Sequence, residues 1–61
     1  MYEISILPEP EIINGKLMYF WSIMGRSGEN RFNCGHGWSE SILRAAVDAD
    51  EYYRNALKKE L

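Results

Sequence analysis

Pro8-Glu-Pro-Glu-Ile-Ile-Asn14-Gly15-Lys-Leu-Met-Tyr-Phe-Trp-Ser-Ile-Met24 reads as a β-hairpin, and its turn decides which side chains share a face. Asn-Gly is the strongest short-range signal for a two-residue turn, because both central positions need a positive φ. With Asn14 and Gly15 in the turn, Ile12 faces Leu17, Pro8 faces Trp21 and Ile6 faces Ile23. Ile13 and Lys16 form the first hydrogen-bonded pair, so positions 12, 10 and 8 turn their backbone N–H groups away from the second strand. Proline has no N–H to offer on that outer side and is confined to edges and bulges. Pro8 and Pro10 therefore make the first strand an edge, put Lys16 to Met24 at the centre, and blunt the first edge against strand addition. A neighbouring chain that extended this sheet would do so along the third strand.

The pattern predicts three strands, over about residues 2–13 (interrupted near the prolines), 16–24 and 31–36. Arg26-Ser-Gly-Glu-Asn30 is read as a polar loop. A helix follows over about 39–60, with Ser39 as N-cap, Glu40 in its first turn, and Lys58 and Lys59 in its last. Trp38 is placed as a hydrophobic staple against Leu43. Ile42, Ala45, Ala46, Ala49, Tyr53, Ala56 and Leu57 fall within one broad helix face. Glu40, Arg44, Asp48, Glu51 and Lys58 form the solvated side, where Arg44 with Asp48 and Asp50 with Arg54 are spaced to pair. The predicted fold is a single α+β domain over residues 1–61: an antiparallel three-stranded sheet in the order β-β-β-α, with one C-terminal helix packed on one face.

The hairpin register sorts the strands into two faces. Ile4, Ile6, Ile12, Leu17, Tyr19, Trp21 and Ile23 make the face for the helix, whose alanines allow close approach over Trp21. The other face carries Glu3, Ser5, Leu7, Glu9, Glu11 and Ile13 with Lys16, Met18, Phe20, Ser22 and Met24. One helix cannot cover both faces. Scattered apolar surface is ordinary, but Met18, Phe20 and Met24 are contiguous, and contiguous exposed apolar surface marks an interface. Met18, Phe20 and Met24, rimmed by Glu9 and Glu11, are the predicted protein-binding surface.

The chain has 61 residues, and a domain of that size hides only about 60% of the surface its unfolded form exposes. Self-association would add to so small a core. Cys34 is the single cysteine, so internal disulfides are excluded and a reducing cytoplasm is the expected compartment. The first residues lack the basic start and apolar run of a signal peptide, and no stretch approaches a membrane span. Seven Lys and Arg against nine Asp and Glu give a formal net charge of −2. Nucleic-acid binders usually carry a basic patch, and none stands out, which sets nucleic acid behind a protein partner.

Cys34 and His36 are two apart, so a regular strand would project both from one side. Such a pair could ligate a metal or serve as nucleophile and base. Zinc would need two further ligands, and a dyad an orienting third group. The pair is read instead as a small cysteine beside a strand-end histidine, turned by Gly35 and Gly37. No cofactor and no metal is expected. Gly25-Arg-Ser-Gly28 and Gly35-His-Gly37 lack the spacing of phosphate-binding loops.

The order strand, strand, strand, helix, with Gly37-Trp-Ser-Glu-Ser-Ile-Leu-Arg-Ala-Ala-Val-Asp-Ala-Asp-Glu-Tyr-Tyr entering the helix, resembles HicB-like antitoxin domains over about residues 16–57. Short bacterial and phage proteins of unknown role share this layout. The likeness implies a sheet-then-helix unit, a partial double-stranded-RNA-binding fold, that binds a partner and carries no catalytic residue. Two departures are plain: Arg31-Phe-Asn-Cys34-Gly35 keeps only the Cys and a nearby Gly of that family's Pro-Gly-Cys-like segment, and no separate DNA-binding segment follows the helix. The expected function is a small, non-enzymatic, cytoplasmic protein–protein interaction module that self-associates as a homodimer, of the antitoxin-like or mobile-element accessory kind. The alternative is RNA or DNA binding through the aromatic sheet face, with Lys16, Arg26 and Arg31 on the backbone.

Overall fold

Asn14 and Gly15 take φ values of 52° and 79° and reverse the chain between Ile13 and Lys16, as a two-residue turn with both centres positive requires. Around this turn the computed structural model describes residues 1–58. They form β1 (Tyr2–Ile6), β2 (Glu11–Ile13), β3 (Lys16–Ser27), β4 (Asn30–Ser39) and α1 (Ile42–Tyr52). A π-helical turn over Tyr53–Leu57 follows α1, closed by the Lys58 N–H on the Tyr53 carbonyl at 2.7 Å. The class is α+β: one antiparallel sheet with a C-terminal helix.

The sheet has four strands, not three, because the first expected strand is broken. Glu11 faces Met18 and Ile12 faces Leu17, the register set by the turn. In β1, however, Ile6 faces Trp21 and Ile4 faces Ile23, which replaces the expected Pro8/Trp21 and Ile6/Ile23 pairs. Leu7 still donates its N–H to the Phe20 carbonyl at 3.0 Å. The segment Pro8–Pro10 then loops out, so four residues on this edge span only Tyr19 and Phe20 of β3. The slip is two residues, and because side chains alternate with period two, an even slip leaves every residue on its original face. β1 and β2 lie end to end along one edge of β3, and β4 lies along the other.

The second hairpin is tighter than its polar sequence implies. Gly28, at φ 64°, supplies the positive φ for a two-residue turn between Ser27 and Asn30. β3 and β4 therefore run on to Ser27 and from Asn30, past the expected limits at 24 and 31. Between the pairs Ile23/Gly35 and Met24/Asn33 the register shifts by one, leaving Cys34 as a β-bulge.

β4 continues to Ser39, so the helix begins later than residue 39. Ser41 is the N-cap, its Oγ accepting from the Arg44 N–H at 2.9 Å. Ser39 is buried at the strand end and donates its hydroxyl to Asp48 Oδ2 at 2.6 Å. Trp38 is a strand residue facing away from the helix and Leu43 is exposed, so the expected staple does not form. The ion pairs Arg44–Asp48 (3.0 Å) and Arg54–Asp50 (2.8 Å) are present. Lys59 and the expected helix end at residue 60 lie outside the described residues.

Trp21, Ile23, Ala45 and Ala49 form the buried core, with Ile6, Cys34, Tyr53 and Leu57 packed around it. Gly37 leaves room for the Trp21 indole and Gly35 for the Tyr52 ring, which sit where side chains on β4 would otherwise project. Helix length limits this core. α1 and the π-helical turn that continues it reach little more than about 20 Å, whereas the twelve residues of β3 extend about 40 Å. The Cα radius of gyration is 12.5 Å, with a longest extent of 39 Å, against about 10.5 Å for an average domain of this length. The turn end of the first hairpin projects past the helix. Ile12 and Leu17, expected in the core, are 72% and 59% exposed, and Ala46 and Ala56 on the helix are exposed as well.

Candidate interaction surface

Alternation along β3 puts Met18, Phe20, Ser22, Met24 and Arg26 on the face that α1 does not cover. Cross-strand pairing adds neighbours in rows. Leu7, Phe20 and Trp38 form one row across the three strands. Ser5, Ser22 and His36 form the next, and Glu3, Met24 and Asn33 the one after. Phe20 is the hub: its ring centroid lies 5.1 Å from Trp38 and 5.9 Å from His36, both tilted. These separations fall in the range where aromatic pairs attract. The result is an apolar ridge of Leu7, Phe20 and Trp38, with Met18 and Met24 on either side along β3 and a low floor of Ser5 and Ser22 beside it.

Three of the expected interface residues are therefore brought together. Met18, Phe20 and Met24 share the open face, each half-buried by its neighbours. Asn33 Nδ2 reaches Met24 Sδ at 3.7 Å. Glu11 lies at the rim, opposite Met18. Glu9 is in the looped-out segment, where Leu7, Pro8, Glu9, Pro10 and Glu11 line a shallow recess of about 210 Å³. Leu7, which the alternation puts on this face but which is not among the expected interface residues, completes the surface with Trp38 and His36, neither of them expected there. The signal for Trp38 lay in the strand itself: extending β4 by three residues carries the alternation through His36 and Trp38.

Two ion pairs tie charges on this face. Arg31 Nη2 donates to Glu3 Oε1 at 2.8 Å, and Lys16 Nζ lies 3.4 Å from Glu40 Oε2. Arg26 has no carboxylate partner among the described residues.

The bulge separates Cys34 from His36. A Cβ at Gly25, on the helix side of β3, would meet Cys34 Sγ at 2.9 Å, so the thiol is on that side. The His36 ring packs on Phe20, on the open side. A regular strand would have put both on one face; the extra residue in the bulge turns the thiol to the other. No group of three or more His, Cys, Asp or Glu placed to hold a metal occurs among the described residues. No helix among them is long and apolar enough to cross a membrane. Comparison with known protein families, with curated proteins and with solved structures finds no match to this chain.

Proposed function

We propose that this chain is a non-enzymatic protein–protein interaction module that binds through the open sheet face and self-associates. The observation that carries this reading is the Leu7–Phe20–Trp38 ridge flanked by Met18 and Met24, an apolar layer with no helix over it. Methionine adapts to irregular partner surfaces, while the aromatic trio supplies rigid contact area. A thiol and an imidazole held on opposite sides of the sheet support the non-enzymatic reading. The cytoplasmic, antitoxin-like setting implied by the HicB-like pattern belongs to the same proposal. Phe20→Glu puts a charge at the hub of the ridge without touching the buried core. Light scattering on a sizing column, across a hundredfold range of concentration, should show association by the parent chain and none by the variant, with unchanged helical circular dichroism. Association at parental strength by a folded Phe20→Glu would overturn the assignment.

Nucleic-acid binding is the second reading, favoured by aromatic rings on an open sheet with Lys16, Arg26 and Arg31 on the same face. Ion pairing of Lys16 and Arg31 to carboxylates weighs against it. Binding of single-stranded RNA that weakens steeply between 50 and 200 mM salt, roughly as phosphate contacts require, would favour this reading over the first.

A further inference from the structure

The two edges of the sheet are built differently. Along one, the pairing with β3 is interrupted at Pro8 and Pro10, and β2 beyond it has three residues. Prolines and broken strands are among the devices that keep other chains from adding to an edge. The other edge is β4, ten residues with neither proline nor lysine, and no described segment pairs along its outer side.

Hydrogen-bond alternation identifies the free groups on that edge. Phe20 accepts from the Leu7 N–H, and Arg26 donates to the Met1 carbonyl, each at 3.0 Å. Even-numbered residues of β3 thus turn their backbone groups toward β1, and odd-numbered ones toward β4. Tyr19, Trp21 and Ile23 pair with Ser39, Gly37 and Gly35. Those three residues of β4 are bonded inward, so the N–H and C=O of His36 and Trp38 point outward. Past Gly35 the Cys34 bulge bends the strand, and the Cys34 carbonyl accepts from the Tyr52 hydroxyl at 3.2 Å. The regular, unpaired part of this edge is the stretch centred on Gly37.

We propose that a second copy of this chain pairs here, β4 against β4 and antiparallel, with Gly37 facing Gly37 on the two-fold axis. In that register His36 of each copy faces Trp38 of the other, and all four outward backbone groups of each copy are used, in four hydrogen bonds. A one-residue slip sets outward groups against inward-bonded ones. A two-residue slip keeps only a His36/His36 or a Trp38/Trp38 pair, with two bonds. The side chains agree with the backbone: His36 and Trp38 lie on the open face, so each imidazole stands beside the other copy's indole as an aromatic cross-strand pair. On the helix side Gly37 has no side chain of its own, and the space above it holds the Trp21 indole, which is buried within its own copy. An unrelated strand could supply the backbone groups; a second copy also supplies the reciprocal rings. The pairing joins two Leu7–Phe20–Trp38 ridges into one continuous apolar platform. It rests on the self-association part of the proposed function, and Phe20 bears on it through His36 and Trp38, whose rings lie 5.9 and 5.1 Å from its own.

Amide hydrogen exchange on the unmodified chain, at dilute and at associated concentrations, tests this directly. The amides of His36 and Trp38 should slow at least tenfold on association, while those of Gly35 and Gly37 are protected at both concentrations. His36→Pro supplies a second arm. The N–H it removes faces outward, so the pairing with β3 stays intact and association should be lost. His36→Ala, which keeps the N–H, should weaken association only several-fold. Association with fast-exchanging His36 and Trp38 amides, or a His36→Pro chain that associates like its parent, overturns the edge pairing. In that case loss of association in Phe20→Glu alone still upholds the open face as the contact. A chain that is monomeric at every concentration overturns both.

Discussion

Gly37→Ala tests the packing that holds the helix to the sheet. A Cβ at residue 37 would lie 2.6 Å from Trp21 Cζ2 and 2.8 Å from Cε2. Trp21 is only 6% exposed and shares the core with Ala45 and Ala49, so the indole has nowhere to retreat. Overpacking of this kind costs about 1–3 kcal/mol, and the stiffer unfolded chain of an alanine variant returns about 0.4–1. The net expectation is a loss of about 1–2 kcal/mol. For a domain of this size each kcal/mol moves Tm by about 4–8 °C, so thermal unfolding followed by circular dichroism should show a fall of roughly 10 °C. Two internal controls come from the same sheet. At Gly35 the obstructing group is the Tyr52 ring, which is 38% exposed. It can swing out, at the cost of its hydroxyl bond to the Cys34 carbonyl, about 1 kcal/mol. At Gly25 the nearest atoms belong to the Phe32 ring, 48% exposed and able to turn outward, with the half-buried Cys34 Sγ next at 2.9 Å, so alanine there should cost the least of the three. The predicted order of damage is Gly37, Gly35, Gly25. A Gly37→Ala chain melting within about 2 °C of the parent, or a reversed order, would refute the reasoning. In a Tyr52→Ala background, Gly35→Ala should add no further loss.

Asp48→Ala should cost about 1–3 kcal/mol, because it strands the buried Ser39 hydroxyl that Asp48 accepts at 2.6 Å. Arg44→Ala, which removes only the exposed end of the Arg44–Asp48 pair, should cost well under about 1 kcal/mol; equal losses in chemical denaturation would mean that Ser39 is not the partner that matters. Ile12→Thr and Leu17→Thr should leave Tm within a few degrees, since both side chains are mostly in solvent, whereas Ile23→Ala, at a fully buried site, should cost about 2–5 kcal/mol. If Leu17→Thr proved as damaging as Ile23→Ala, the helix would have to cover more of the sheet than it does.

The features legible in the sequence were those set by local chemistry. Asn14-Gly15 requires two positive φ angles, and that fixed the first turn and the composition of the two faces of β3. Prolines without N–H groups marked the β1/β2 edge, and the helical period marked α1. The site was legible in its central strand, because alternation alone puts Met18, Phe20 and Met24 together. What lay beyond the sequence were the irregularities, each a compromise between distant groups. Leu7–Pro10 shifted the register of β1 by two, which left the faces intact, while the bulge at Cys34 shifted β4 by one and put the thiol and His36 on opposite sides. Ser39 and Ser41 are equally good caps by local rules; the buried bond from Ser39 to Asp48 decided between them. Trp38 joined the open face because β4 kept pairing with β3 as far as Tyr19, a gain that only the assembled sheet provides. Tertiary structure also decided how much of the helix-side face is covered, since a helix of 11 residues cannot span a strand of 12: the rise per residue of an α-helix is less than half that of a strand.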